Sequence, residues 1–385
     1  MSGIFGRMDG VGEECMTEGD ALQKTNFDRN TTAMIKGIAL ILMFIHHFFA
    51  YPEWYVEGIA YPQLAGHIRF FRYSMKICVP VFAFLTGYFY AFSQKKTLRY
   101  SLRKITDLLV SYWLCFVLIL MIALLTGYRE LSAFGFLMGI LGRNTSLMTF
   151  CWYVSFYCLA MLMLPLLTGT DKRGPVRDLV LLIIMPIAAS SILESLIESK
   201  TISTMIEEVG IWFPCVASGY LCAKYGVFGR ADARIGCQRG NALLYGACIC
   251  FAVAGRYFCD SFTLSICCLD KDWTMRCTMD VFYAPAFVYG AAMLLQRIKN
   301  KYVIGVFKRI GDHSQRMWFI HCVFFNVSNE VTQRILYWPK QPVLVVAFGL
   351  LICYAAAWAV SPLEKKMIEW KNRILTVKRG CRHQP

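Results

Sequence analysis

Residues Thr32 to Ala50, TAMIKGIALILMFIHHFFA, make an apolar run of membrane-spanning length that carries two adjacent histidines, His46 and His47. Ionisable groups at membrane depth are costly and need a reason. A neutral imidazole can take a proton from a hydroxyl near neutral pH. One held inside a helix bundle can therefore activate an alcohol for attack on an acyl carbonyl.

The rest of the chain repeats the apolar pattern. Of 385 residues, 57% are hydrophobic and 17% charged, and long Leu, Ile, Val, Phe and Met blocks alternate with short basic connections. This is the composition of a multi-pass membrane protein. Ten spans are predicted, at roughly 32–51, 75–92, 105–126, 150–168, 178–196, 209–224, 241–258, 280–296, 314–330 and 342–362, giving an all-α, polytopic transmembrane bundle. The segment Tyr128 to Thr149 is only moderately polar and reads as an amphipathic or re-entrant helix on the external side.

A net charge of +15 is compatible with a nucleic-acid partner, but the basic residues fall mostly in the connections. Topology accounts for them better: the connections on one side, with the tail, hold 24 Lys and Arg, far more than the other side, which predicts both termini in the cytoplasm. The first 27 residues contain no apolar run, so no signal peptide is expected and the first span directs insertion. The predicted organisation is a cytoplasmic segment 1–31, one transmembrane domain 32–362 and a basic cytoplasmic tail 363–385, with no internal repeat and no linker-like stretch.

Most of the 17 cysteines lie inside apolar spans, as in LLYGACICFAVAG, where cysteine behaves as a small hydrophobe. The exception is the external connection with Cys259, Cys267, Cys268 and Cys277, which an oxidising compartment would permit to form disulfides in any of three connectivities. It has no zinc-site spacing and no nearby histidine, so no metal is expected.

On a helix, His46 and His47 diverge by about a quarter turn and cannot both face one site squarely. Lys36 and His47, eleven residues apart, share a face at about 16 Å axial separation. With the N-terminus inside, Lys36 lies at the cytoplasmic mouth and His47 beyond the midplane. A phosphate held at Lys36 and an acyl group delivered to His47 suit an extended donor arm along this face. The alternatives are that Lys36 snorkels to lipid phosphates and that His47 hydrogen-bonds a neighbouring helix.

Four places carry a resemblance. Lys36-Gly37-Ile38-Ala39 leads through an apolar run to His47; VPVFAFLTGYF carries Thr86 and Gly87; LRKITDLLVSYW carries Arg103, Lys104 and Tyr112; and IGDHSQRMWFIHCVFF carries Gly311, Ser314, Trp318 and His321. In their order and spacing these resemble the membrane-bound acyltransferase 3 family, from about Asp28 to the tail. The resemblance implies an O-acetyltransferase-like enzyme of a bacterial plasma membrane. It would move an acyl group, with acetyl expected, from cytoplasmic acyl-CoA to a hydroxyl of an envelope glycan or lipid-linked sugar. It also implies His47 and His321 as catalytic residues, and Lys36, Arg103 and Lys104 as the site for the donor's phosphates.

The chain departs from the family pattern in three places. Lys36 stands where arginine is usual, losing the planar fork that grips phosphate. Asp107 stands where the basic stretch commonly has another arginine. The fourth span reads Trp152-Tyr153-Val154-Ser155-Phe156-Tyr157 where many members have Trp-Ser-Leu-x-x-Glu, so the helix lacks a carboxylate to support the histidine. The remaining candidates for that role are His321, Glu194 and Asp280, the two acids being expected at the water interface. The hydroxyls of Tyr153, Ser155 and Tyr157 are candidates for an acceptor cleft.

Two other functions fit a multi-pass chain with buried histidines. A proton-coupled transporter or flippase would use them as a relay but should show inverted repeats or broken helices at matched positions. An envelope-glycan polymerase should bring a larger external loop.

Overall fold

The protein is described here by a computed structural model covering residues 27–57, 64–93, 96–127, 132–143, 147–169, 173–235, 241–268, 271–325 and 329–380. Helix α1 (Arg29–Phe49) begins where the Asp28 carboxylate accepts from the Thr31 amide at 2.6 Å, satisfying one of the free N–H groups of its first turn. There follow α2 (Ile68–Ala91), which tightens to a 3₁₀ turn at Met75–Ile77, α3 (Leu98–Leu125), the short α4 (Ala133–Ile140) and α5 (Trp152–Thr168). Helix α6 (Pro175–Leu196) carries a π-helical stretch at Val180–Ile184 just before Pro186, whose missing N–H breaks the regular ladder. Then come α7 (Lys200–Lys224), α8 (Val227–Ile235), α9 (Asn241–Phe258), a hairpin of β1 (Ser261–Cys268) and β2 (Lys271–Thr278), α10 (Asp280–Leu295), α11 (Lys301–Ile320), α12 (Asn329–Tyr337) and α13 (Pro342–Gly380).

Six helices, α1, α2, α3, α6, α9 and α13, are long and apolar enough to cross a membrane, and α5 and α10 are shorter apolar helices. The protein is thus a mostly helical membrane protein. Three features depart from the sequence reading. Of the ninth predicted span, 314–330, the residues up to 324 are the end of a helix that starts at Lys301 and passes into a 3₁₀ turn at His321–Phe324; residues 326–328 lie outside the described residues. Lys308, Arg309, Asp312 and His313 break its apolar run, while Gly311, Ser314, Met317, Phe319 and Ile320 keep a buried stripe. The connection 259–279, expected to be a loop of an all-α protein, is an antiparallel hairpin with Ser261 opposite Thr278. Its Phe262, Leu264 and Ile266 alternate with Thr263 and Ser265, the period of a strand. In its backbone register Cys277 pairs with Phe262 and Cys267 with Asp272, and Cys259 and Cys277 are free thiols. Finally, α13 runs unbroken through Pro362, so the start of the basic tail continues the last span as helix.

Of the segment 128–149, the described residues include α4, which is tied to α3 by the Tyr112 hydroxyl on the Gly139 carbonyl and by the Trp113 indole on Ile140 at 3.0 Å.

Helices α1 and α11 lie side by side with their backbones almost touching. A Cβ on Gly311 would sit 1.7 Å from the Ala33 carbonyl oxygen, and one on Gly37 would sit 2.4 Å from that of Phe307. Small residues here let the two helices approach as closely as backbone allows. Gly37 precedes His47 by ten residues and Gly311 precedes His321 by ten, so the crossing brings both histidines to one height about 15 Å along. Gly311→Ala is expected to force the helices apart at a cost of about 1–3 kcal/mol. Thermal unfolding in detergent checks this against Gly305→Ala, whose added Cβ meets nothing within 4 Å.

A second close crossing joins α2 to α7. A Cβ on Gly87 would lie 1.8 Å from the Val216 carbonyl oxygen, and one on Gly219 would lie 2.0 Å from that of Phe84.

Candidate functional site

His47 of α1 and His321 at the end of α11 meet in the buried core, with His47 Nδ1 and His321 Nε2 2.7 Å apart. Which nitrogen carries the proton follows from the next bond. His321 Nδ1 points at the Trp318 carbonyl oxygen, which can only accept, so Nδ1 bears the hydrogen. In the neutral ring Nε2 is then a lone pair, and His47 Nδ1 must be the donor to it. His47 is left with an unprotonated Nε2, the form a general base requires. The chain Trp318 carbonyl, His321, His47 is an arrangement that can orient an imidazole without a carboxylate.

The two rings are nearly coplanar, at 7°, and Phe150 lies flat over His47 with centroids 3.7 Å apart and an interplanar angle of 9°. Phe44 stacks on His321 at 5.4 Å. Packed rings on these faces hold the imidazoles in one rotamer, as a positioned base needs.

The quarter turn between the adjacent histidines separates their roles. His46 Nδ1 donates to the Phe71 carbonyl at 2.7 Å, and its Nε2 accepts from the Tyr51 hydroxyl at 3.2 Å. Both of its nitrogens are occupied. With His46 Nδ1 donating to the Phe71 carbonyl, its Nε2 is a lone pair and the Tyr51 hydroxyl is the donor to it. Tyr51 in turn stacks on Trp54 at 4.3 Å and 11°.

His46 and His47 line a cavity of about 320 Å³. Its walls are aromatic, with Tyr51, Trp54, Phe150, Trp152 and Trp212, and strongly charged, with Lys76 of α2, Glu207 and Glu208 of α7, Arg256 of α9 and Asp280 of α10. The hairpin adds Ser261, Arg276 and Thr278. Arg256 grips Asp280 with two bonds, 2.6 and 3.0 Å, and gives a third to the Tyr73 carbonyl at 2.7 Å. Asp280 was expected at the water interface; it is 1% exposed, because the guanidinium satisfies it completely enough to be buried. Its engagement with Arg256 leaves it no part in orienting His47. Glu194 is exposed on α6. Among Tyr153, Ser155 and Tyr157, none lines this cavity; Ser155 donates to the Trp152 carbonyl at 2.8 Å.

At the other end of α1, Lys36 is half-buried and within electrostatic reach of Lys104 and Asp312. Arg103 is exposed on the same turn of α3. Asp107, the acid in this basic stretch, is paired with Lys371 of α13, and Asp312 is paired with Lys308 at 2.8 Å. These ion pairs neutralise the local acids and leave the mouth net basic, a setting that suits a polyanion.

Of the residues the sequence brings forward, His47 and His321 are in contact, Lys36 and Lys104 interact electrostatically at the opposite end of α1, and Arg103 is exposed next to Lys104. The sequence reading missed Phe150, Lys76 and the Arg256–Asp280 clamp. A signal for two of these was present, since Lys76 and Arg256 are cations within predicted spans, where an ionisable side chain points to a site by default.

A family model described as an acyltransferase domain matches residues 33–361, nearly the whole chain. No curated protein and no solved structure matches it.

Proposed function

The chain belongs to the acyltransferase 3 family and is an acyltransferase, and from that premise we propose that it moves an acyl group, acetyl in the first instance, from cytoplasmic acyl-CoA to a hydroxyl of an envelope glycan or lipid-linked sugar. The observation that carries this reading is the His47–His321 pair, whose hydrogen-bond direction leaves His47 Nε2 unprotonated beside the cavity.

In this reading both termini lie in the cytoplasm, and the donor's phosphates sit among Lys36, Lys104 and Arg103. Its thioester arm runs the roughly 16 Å from Lys36 to His47. The acceptor enters the cavity from the opposite side, where the flat rings of Tyr51, Trp54 and Trp152 suit the faces of a sugar and the polar groups suit its hydroxyls.

The acceptor oxygen attacks the thioester carbonyl carbon as its proton passes to His47 Nε2. The resulting imidazolium is held by its Nδ1–H bond to His321, whose own Nδ1–H bond to the Trp318 carbonyl spreads the charge. Collapse breaks the carbon–sulfur bond, and the sulfur takes the proton back from His47 Nε2 to leave as the thiol. The products are the ester and free CoA, and the base is restored.

The test is mass spectrometry of envelope glycans and lipids from matched cells with and without the chain. An added acyl mass on one glycan or lipid is the expected result and identifies the acceptor. Identical profiles would overturn the reading and turn attention to solute or lipid movement in vesicles.

A further inference from the structure

Most of the charges around the cavity are paired with one another. Arg256 is closed on Asp280, and Glu208 is closed on Arg143 at 2.6 Å. At the hairpin Arg276 lies between Glu207 at 3.7 Å and Asp260 at 3.8 Å, one cation against two carboxylates. Lys76 is different. Among the described residues no carboxylate lies within ion-pair distance of it, and its ammonium rests 5.4 Å from the centre of the Trp212 ring. An aromatic face attracts a cation but accepts none of its hydrogen bonds, so the three N–H donors remain unanswered by protein carboxylate.

Lys76 lines the same cavity as His46 and His47, and its charge is felt by both. The charge is therefore unevenly spread. The inner wall, with Lys76 and Arg256 against Asp280, carries a surplus cation, and the hairpin side, with Arg276 against Glu207 and Asp260, carries a surplus anion. A surplus ammonium held only by an aromatic face and the more distant Asp280 carboxylate loses hydration without gaining a hydrogen-bonded carboxylate among the described residues. An anionic ligand group in the cavity would supply the missing charge and accept the ammonium's hydrogen bonds.

We propose that Lys76 holds an anionic group, a carboxylate or phosphate, of the substrate that occupies this cavity, which makes it a specificity-determining residue. The inference rests on the acyl-transfer reading for the identity of the occupant. The anion has two sources: an acidic sugar acceptor, or the far end of a dicarboxylic acyl group carried on the donor.

The full-length protein in nanodiscs of zwitterionic lipid separates them. In the first arm, calorimetry compares the binding of methyl glucuronide and methyl glucoside. In the second, turnover compares succinyl-CoA and acetyl-CoA with the neutral glucoside as acceptor. One charge-assisted contact corresponds to a preference of about tenfold to a hundredfold for the anion-bearing partner. The preference is expected in one arm, retained in Lys76→Arg and lost in Lys76→Met.

Equal behaviour of charged and neutral partners in both arms of the wild type would overturn the proposal. So would a Lys76→Met variant that loses all four combinations equally, since that is the signature of a structural or oxyanion-stabilising lysine. His47→Ala keeps the two readings apart. Calorimetric preference for the glucuronide that survives in His47→Ala supports the anion site whether or not transfer is observed, and transfer without any anion preference supports the enzyme and sinks the site.

Discussion

His47→Ala is expected to lower acyl transfer by about 10²–10⁴-fold, the usual worth of a positioned general base, with the purified protein still folded. The measurement is turnover in nanodiscs with size-exclusion and thermal unfolding as folding controls. His321→Ala should cost less, about 10–100-fold, and the loss should fall on kcat rather than KM. Without His321, nothing fixes the proton on His47 Nδ1, and the ring spends part of its time as the tautomer whose Nε2 is protonated and cannot act as base. The two substitutions should not add. Once the base is gone its orienting group has nothing to orient, so the double variant should match His47→Ala alone. Additive losses would mean that His321 acts on the substrate independently of His47. An active, folded His47→Ala variant would remove the base altogether.

His46→Ala offers the contrast. His46 spends both nitrogens on the Phe71 carbonyl and the Tyr51 hydroxyl. Its loss frees the Tyr51 side of the cavity without removing the base, and the expected loss of rate is smaller than that from His47→Ala.

The part of this site that was legible in the sequence is the part encoded by local spacing. Lys36 and His47 share a helix face because eleven residues make about three turns. The Gly311, Ser314, Trp318 and His321 series is visible for the same reason, and the equal spacing of Gly37 and Gly311 from their histidines carries the register of the α1–α11 crossing. What the sequence withheld is long-range. Phe150, which covers both imidazoles, comes from the turn before α5, and nothing in its own neighbourhood marks it. Arg256 and Asp280 are 24 residues apart, and although a cation within a span marks Arg256 as unusual, nothing local names Asp280 as its partner. The boundaries of α11 were hidden for a different reason. Continuous apolarity is what marks a membrane span in a sequence, whereas this helix buries only a stripe and gives its other face to Lys308, Asp312 and Arg316, the last paired with Glu364 of α13.

Arg256→Met is expected to cost about 3–5 kcal/mol, the penalty for stranding one member of a buried ion pair. Asp280 would remain at the start of α10, 1% exposed, having lost both guanidinium bonds, and the Tyr73 carbonyl would lose its donor as well. Thermal unfolding in detergent measures the effect. Arg256→Lys should recover only part of it, since an ammonium cannot reproduce the two-toothed grip on the carboxylate and reach Tyr73 together. Removing the charge from both sides, in Arg256→Met with Asp280→Leu, should restore most of the stability, because a buried pair contributes little beyond what well-packed apolar groups of similar size provide. An Arg256→Met protein as stable as the wild type would show that water reaches the pair and that it does not clamp α2, α9 and α10. The rescued double variant then tests what the clamp is for. It should be stable yet poor at transfer, because the same three elements form the wall of the cavity beside His47, and two apolar side chains there replace the groups that shape it. Stability and activity would part company in one protein, which assigns the ion pair to the geometry of the site rather than to holding the bundle together.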